Sequence, residues 1–196
     1  MNNKLKAKDL ITIGIFTALF FLVILVFAMA FSAIPLMTAF IVCFNALVGG
    51  VIYLYLRLKV QKFGAITMMS AIIGLIMCLA GHFWPCIIFG ALFGLLSDFL
   101  SSRGGYKKFG WNTAGFVALI LGIALDGYTP MLFFEKAFRE TRLQMGMTPE
   151  LIERILAVFH GPLLIAAFGG AVVFAVIGAL IGNALLHKHF VKAGLL

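Results

Sequence analysis

From Leu10 to Phe31 the chain runs without a single charged side chain, a stretch long enough to span a bilayer. As a helix it would rise about 30 Å, the thickness of a hydrocarbon core. Lipid offers no hydrogen-bond partner to a peptide group, so such a run is read as a helix, which satisfies its own backbone. The triplet Ala28-Met29-Ala30 has the form of a signal-peptide cleavage site. The run is longer than an ordinary signal core, however, and an uncleaved helix is the reading. Composition agrees: 63% of the residues are hydrophobic and 11% are charged, a balance that excludes a soluble domain.

Further apolar runs cover 35–56, 63–80, 85–100, 110–133 and 161–186, and the first is taken as 10–31. The fifth should be interrupted at Asp126-Gly127-Tyr128-Thr129-Pro130, because glycine and proline punctuate helices. Residues 134–159 mix acids and bases and read as an amphipathic loop segment, extracellular in the orientation derived below. Within it, Thr148-Pro149-Glu150 is a helix start with an N-cap hydroxyl, proline at the first position and an acid in the first turn. The expected fold is an all-α integral membrane protein, one transmembrane domain over 1–196 with six transmembrane helices.

Basic residues set the orientation. With six spans, Lys4, Lys6, Lys8, Arg57, Lys59, Lys62, Arg103, Lys107, Lys108, Lys188 and Lys192 fall on one side, against Lys136, Arg139, Arg142 and Arg154 on the other. The crowded side is cytoplasmic by the positive-inside rule, which puts both termini in the cytoplasm. The net charge of +8 is therefore loop asymmetry and implies no nucleic-acid partner. The three cysteines lie inside apolar runs and form no disulfide framework or paired zinc pattern.

That orientation gathers the polar turns outside. Gly81-His82-Phe83-Trp84-Pro85 joins the third and fourth spans, and His160-Gly161-Pro162 opens the sixth. His82 and His160 can donate, accept or ligate a metal as neutral imidazoles. Phe83, Trp84 and Tyr128 offer flat faces to a ring. Asp126 is an ionisable group near the end of a span, costly there and so a candidate for function; it can equally cap the helix or pair with Arg139 or Arg142. Asn45, in the middle of the second span, reads as an interhelical hydrogen bond. His82, Phe83, Trp84, Asp126, Tyr128 and His160 are expected to surround one outward-facing pocket, with 134–159 as a lid. An interfacial turn with aromatic anchors remains the alternative. No GxxxxGK[ST], GxSxG or HExxH pattern occurs, so ATP hydrolysis must come from another subunit and no enzyme activity is expected. A small membrane enzyme with a His–Asp acid–base pair is the lower-ranked reading.

Small residues mark helix contacts in lipid. Gly90 and Gly94 in the fourth span, and Ala171, Ala175, Ala179, Gly178 and Gly182 in the sixth, suit packing inside the bundle. Gly14 and Ala18 differ, lying just after the basic N-terminal stretch where a partner can dock.

The opening Lys6-Ala7-Lys8-Asp9-Leu10-Ile11-Thr12-Ile13-Gly14-Ile15-Phe16-Thr17-Ala18-Leu19 resembles the first helix of S components of energy-coupling factor (ECF) transporters. Lys62 to Thr67, Gly81 to Pro85, Gly105-Tyr106-Lys107 and the ending His189 to Gly194 resemble the subgroup called Trep_Strep. The resemblance implies a multi-pass subunit of the bacterial cell membrane with a bundle like that of an S component. Such a subunit captures a micronutrient on its outer side and topples to deliver it with a T component and two ATPases. Gly14 and Ala18 stand where that family contacts the T component through an alanine pair at the same spacing. No cofactor is implied. The ligand is left open between a water-soluble aromatic vitamin stacked on Trp84 and haem or a metal ion held by His82 and His160. Cys78, His82 and Cys86 are spaced by four, but Pro85 breaks that register.

Overall fold

The computed structural model describes residues 4–159 and 161–192, with side chains to Lys188. Its helices are α1 (Ala7–Phe31), α2 (Pro35–Lys59), α3 (Ala65–Leu79), α4 (Pro85–Arg103), α5 (Phe109–Phe133), α6 (Glu135–Gln144), α7 (Pro149–Phe159) and α8 (Pro162–Lys192). No strand occurs among the described residues. Five helices, α1, α2, α4, α5 and α8, are long and apolar enough to cross a membrane. The apolar α3, at 15 residues, is shorter.

The six long apolar elements close into a ring in which α1 packs on α2, α2 on α8, α8 on α5, α5 on α4, α4 on α3, and α3 on α1. Short connections make α1 and α2, α3 and α4, and α4 and α5 antiparallel, so the ring has two unlike ends. One end carries Asp9, Arg57, Lys62 and the 104–108 loop; we call it the basic end. The other is covered by α7, which packs on α2, α5 and α8, and by α6, which packs on α5 and α7. We call it the capped end.

Packing in the ring follows residue size. Ala171, Ala175 and Ala179 of α8 are fully buried, and a Cβ on Gly50 of α2 would lie 2.3 Å from the Gly178 carbonyl carbon. Gly90 likewise brings α4 against the Ser70 carbonyl of α3, where a Cβ would lie 2.6 Å away. By contrast α1 buries only Ile13, Thr17, Phe20 and Ile24, a stripe spaced by four, three and four that is one helix face. Its other faces, including Ile11, Ile15, Val26 and Met29, are exposed.

Arg57, expected in a water-facing connector, is instead fully buried. Its Nη2 donates to Asp98 Oδ1 at 2.8 Å, and its guanidinium lies over the Tyr106 ring. Asp98 Oδ2 accepts from the Gly64 and Thr67 backbone N–H groups at 3.1 and 2.8 Å and from the Thr67 hydroxyl at 2.7 Å. The carboxylate of α4 thus caps the start of α3 while pairing with Arg57 of α2, which offsets part of the cost of burying that charge; Arg57 Nε and Nη1 have no hydrogen-bond partner.

The expected break at Asp126–Pro130 does not occur, for α5 runs unbroken through Pro130 to Phe133. Burial outweighs the helix-breaking residues here. Tyr128, Thr129, Pro130 and Met131 are all buried, and the Tyr128 hydroxyl donates to the Ala39 carbonyl at 2.7 Å. Proline removes the one N–H that would have bonded the carbonyl of Asp126, four residues back. Segment 134–159 is two helices with a turn at Gly146, whose φ is +84°. The Thr148-Pro149-Glu150 start is observed, with the Thr148 hydroxyl accepting the Leu151 N–H. Ile152, Ile155, Leu156 and Phe159 form the buried face of α7. Arg139 bridges Glu135 and Glu153 and ties α6 to α7.

Candidate functional site

Beneath α6 and α7, at the capped end, lies a cavity of about 330 Å3. Its wall is mostly apolar and includes Met29, Met77, Met131 and Met147, flexible and polarisable side chains that adapt to a ligand's shape. The polar residues on it are Ser32, Thr38, Asn45, His82, Asp126, Tyr128 and Arg142. Asp126 also lines a smaller space of about 50 Å3 between α1, α3, α4 and α5.

Depth sorts these groups. Asn45 is ten residues into α2, which starts at the capped end, so it sits about 15 Å down the helix. Asp126 is seven residues from the end of α5, about 10 Å down. His82 comes from the α3–α4 turn and Arg142 from α6, at the mouth. Asn45 is 2% exposed, yet its Oδ1 has no hydrogen-bond partner. The interhelical bond expected of that amide oxygen is therefore not made. Among the described residues Asp126 has no hydrogen bond or ion pair. Arg139, one of the partners weighed for it, is taken by Glu135 and Glu153.

The mouth is positive. Burial, and then the neighbouring Arg142, pushes the His82 imidazole down to about 4, so it is neutral near pH 7. Burial also lowers the Arg142 guanidinium from its usual range. Arg142 lies over the Phe138 ring, and its Nη1 contacts the Met145 sulfur at 3.6 Å.

Of the residues singled out in the sequence, His82, Asp126 and Tyr128 line the cavity. Tyr128 does so with its hydroxyl committed to Ala39 and its ring against Phe159 and Phe168. Phe83 packs on Phe134, with ring centroids 5.4 Å apart, and is not on the cavity wall. Trp84 is 60% exposed at the start of α4, and it too is off the wall. His160 lies outside the described residues. Cys78 and His82 do not share a helix face, because α3 ends at Leu79. The Cys86 thiol donates to the Gly74 carbonyl, and no group of three metal-ligating side chains is found among the described residues. Asn45, Arg142, Ser32 and Thr38 were not anticipated as lining residues. Asn45 was detectable as the lone amide in an apolar span, and Arg142 as a cation on an amphipathic stretch.

Gly14 and Ala18 are exposed on α1. No atom lies within 4 Å of a Cβ placed on Gly14. With Phe21, Leu25, Ile72 and Ile76 they line a shallow apolar groove between α1 and α3.

A closed ring of apolar helices with lipid-facing aliphatic surfaces and a capped interior cavity defines a multi-pass helical membrane protein. A family model described as a hypothetical bacterial integral membrane protein (Trep_Strep) matches residues 7–192. The chain belongs to that family, and its place is a bacterial membrane. No curated protein and no solved structure matches it.

Proposed function

We propose that the protein is the substrate-capturing S component of an ECF-type importer, crossing the membrane six times with both termini in the cytoplasm. The observation that carries this reading is the capped cavity, where the Asp126 side chain and the Asn45 amide oxygen sit deep in the bundle without a partner among the described residues. An ionisable side chain at such depth is costly and is retained where a ligand or a transport step uses it. The lid helices and the soft methionine wall suit capture of a small solute from the outer side. In this reading α3, the shortest element, is a sixth span eased by local thinning of the bilayer.

Size supports a micronutrient over haem. An apolar cavity of about 150 Å3 takes benzene, so one of 330 Å3 suits roughly a dozen heavy atoms. By the same scaling haem, with roughly seven times benzene's heavy atoms, needs several times that space. The exposed Gly14–Ala18 face supplies the second half of the proposal: a flat, apolar patch at the basic end where a T component docks, two ATPases driving the assembly. Native mass spectrometry of the protein as purified tests the capture function, and the expected result is a bound small molecule. Ala18→Trp should block assembly with the T component and uptake while leaving binding by the isolated protein intact. Equal loss of binding and assembly would mean that this face supports the bundle and docks no partner.

A further inference from the structure

The cavity's polar groups are sorted by sign along its depth, and this sorting describes the ligand. At the floor stand two acceptors: the Asp126 carboxylate and the amide oxygen of Asn45, which is buried without a partner. At the mouth stands Arg142, on a lid helix and half-buried. Asp126 and Arg142 form no ion pair with each other, so neither neutralises the other.

We propose that the cavity takes a small zwitterion, its ammonium end against Asp126 and Asn45 and its carboxylate end under Arg142. This rests on the reading of the protein as a solute-capturing subunit. A buried carboxylate that keeps its charge needs a compensating cation, and an ammonium has three donors to share between Asp126 and Asn45. The planar guanidinium matches a carboxylate through paired hydrogen bonds. An apolar middle segment fits Met77 and Met131, which line the cavity from α3 and α5. Because Arg142 rides on α6, the carboxylate also fastens the lid from beneath, so closure depends on the end of the ligand that arrives last. A purely cationic ligand would leave Arg142 unpaired over the mouth, and a purely anionic one would leave Asp126 unpaired at the floor.

The full-length protein in detergent is incubated with an equimolar mixture of three matched sets. These are the common α-amino acids, the amines left by removing their carboxyl groups, and the acids left by removing their amino groups. Compounds retained through size exclusion are identified by mass spectrometry. Retained compounds should be zwitterions, at least about tenfold over their matched amines and acids, since a site built for a polar group rejects the analogue lacking it. Arg142→Gln should bring a retained zwitterion down to the level of its amine, and Asp126→Asn down to the level of its acid. Arg142 lies on a lid helix outside the ring, so its variant decides the question even if Asp126→Asn does not elute as a folded protein. Equal retention of an amine or acid and its parent overturns the proposal, as does retention of no member of any set. Native mass spectrometry of the protein as purified separates the two readings. A bound molecule lacking one of the charges sinks the zwitterion and leaves capture standing, whereas no bound molecule counts against both.

Discussion

An amide oxygen buried without a partner destabilises a protein by about 1–3 kcal/mol, and Asn45 carries one in the middle of α2. Function and stability therefore pull in opposite directions at this residue. Asn45→Leu, whose side chain has the same branching and number of heavy atoms, should raise the melting temperature of the protein stripped of small molecules. It should also weaken ligand binding by about 5- to 150-fold, the equivalent of a lost hydrogen bond worth about 1–3 kcal/mol. A fall in both quantities would make the amide structural. His82 gives a pH signature of definite sign. Its folded-state value, about 4, is below the unfolded 6.5, so between these the unfolded chain binds a proton that the folded protein refuses. Stability contributed by the neutral ring is present above pH 6.5 and is lost as pH falls toward 4. Melting temperatures from pH 7 to pH 4.5 should fall more steeply for the wild type than for His82→Gln, and parallel curves would remove the assignment. The sequence showed that Asp126 and Asn45 are polar groups in apolar runs, as Asp98, Asn112 and Asn183 also are. It did not show which of them would be left without a partner. That depends on neighbours such as Glu135 and Glu153, which take Arg139, and on Ala39, which takes the Tyr128 hydroxyl.

Among the elements, glycine has two roles, and the sequence sets Gly14 apart only by its place just after the basic N-terminal stretch. Gly50 meets Gly178 backbone to backbone, whereas Gly14 meets nothing within 4 Å. Gly50→Ala should therefore force α2 from α8 and destabilise the bundle by about 1–3 kcal/mol. Gly14→Ala should stabilise α1 by about 0.5–1 kcal/mol, because alanine loses less backbone entropy in a helix. Thermal unfolding of the two variants in detergent checks both signs, and a destabilised Gly14→Ala would place α1 inside a contact. Helix lengths and most boundaries were legible because charge and proline mark the ends of apolar runs. The inward face of α1 was not, because lipid and protein core are equally apolar and no periodicity separates them, whereas on α4 and α8 the small residues Gly90, Gly94, Ala171, Ala175 and Ala179 marked it. On α7, which has water on one side, the stripe Ile152, Ile155, Leu156 and Phe159 follows the helical period and was readable. The misreading at Pro130 has the same origin: a proline's cost in isolation is known, but the burial that holds α5 together around it is tertiary.

For the whole molecule, the two ends of the ring differ in chemistry as well as shape. The basic end is knotted by Arg57, Asp98 and Thr67, fixing α2, α3 and α4 relative to one another, and no comparable charged knot ties these three helices at the capped end among the described residues. The capped end instead has helices held on by one buried face each and by the Arg139 bridges, so it is the end better able to open. A rigid basic end beside the exposed Gly14–Ala18 face suits docking, and a hinged capped end suits capture, provided the basic end faces the cytoplasm. The excess of lysine and arginine at the basic end is the argument for that orientation, and it is open to direct measurement. In a background with Cys43, Cys78 and Cys86 replaced by serine or alanine, single cysteines are placed at Lys4, at Lys107 in the α4–α5 loop, and at Gln144 at the end of α6. An impermeant thiol reagent added to intact cells should label Gln144→Cys and leave Lys4→Cys and Lys107→Cys untouched until the membrane is opened. Labelling of Lys107→Cys from outside would invert the molecule, put the cavity mouth in the cytoplasm and turn a capture subunit into one that could only release outward. Labelling of Lys4→Cys and Lys107→Cys on opposite sides would mean that one of the elements between them, most simply the short α3, does not cross.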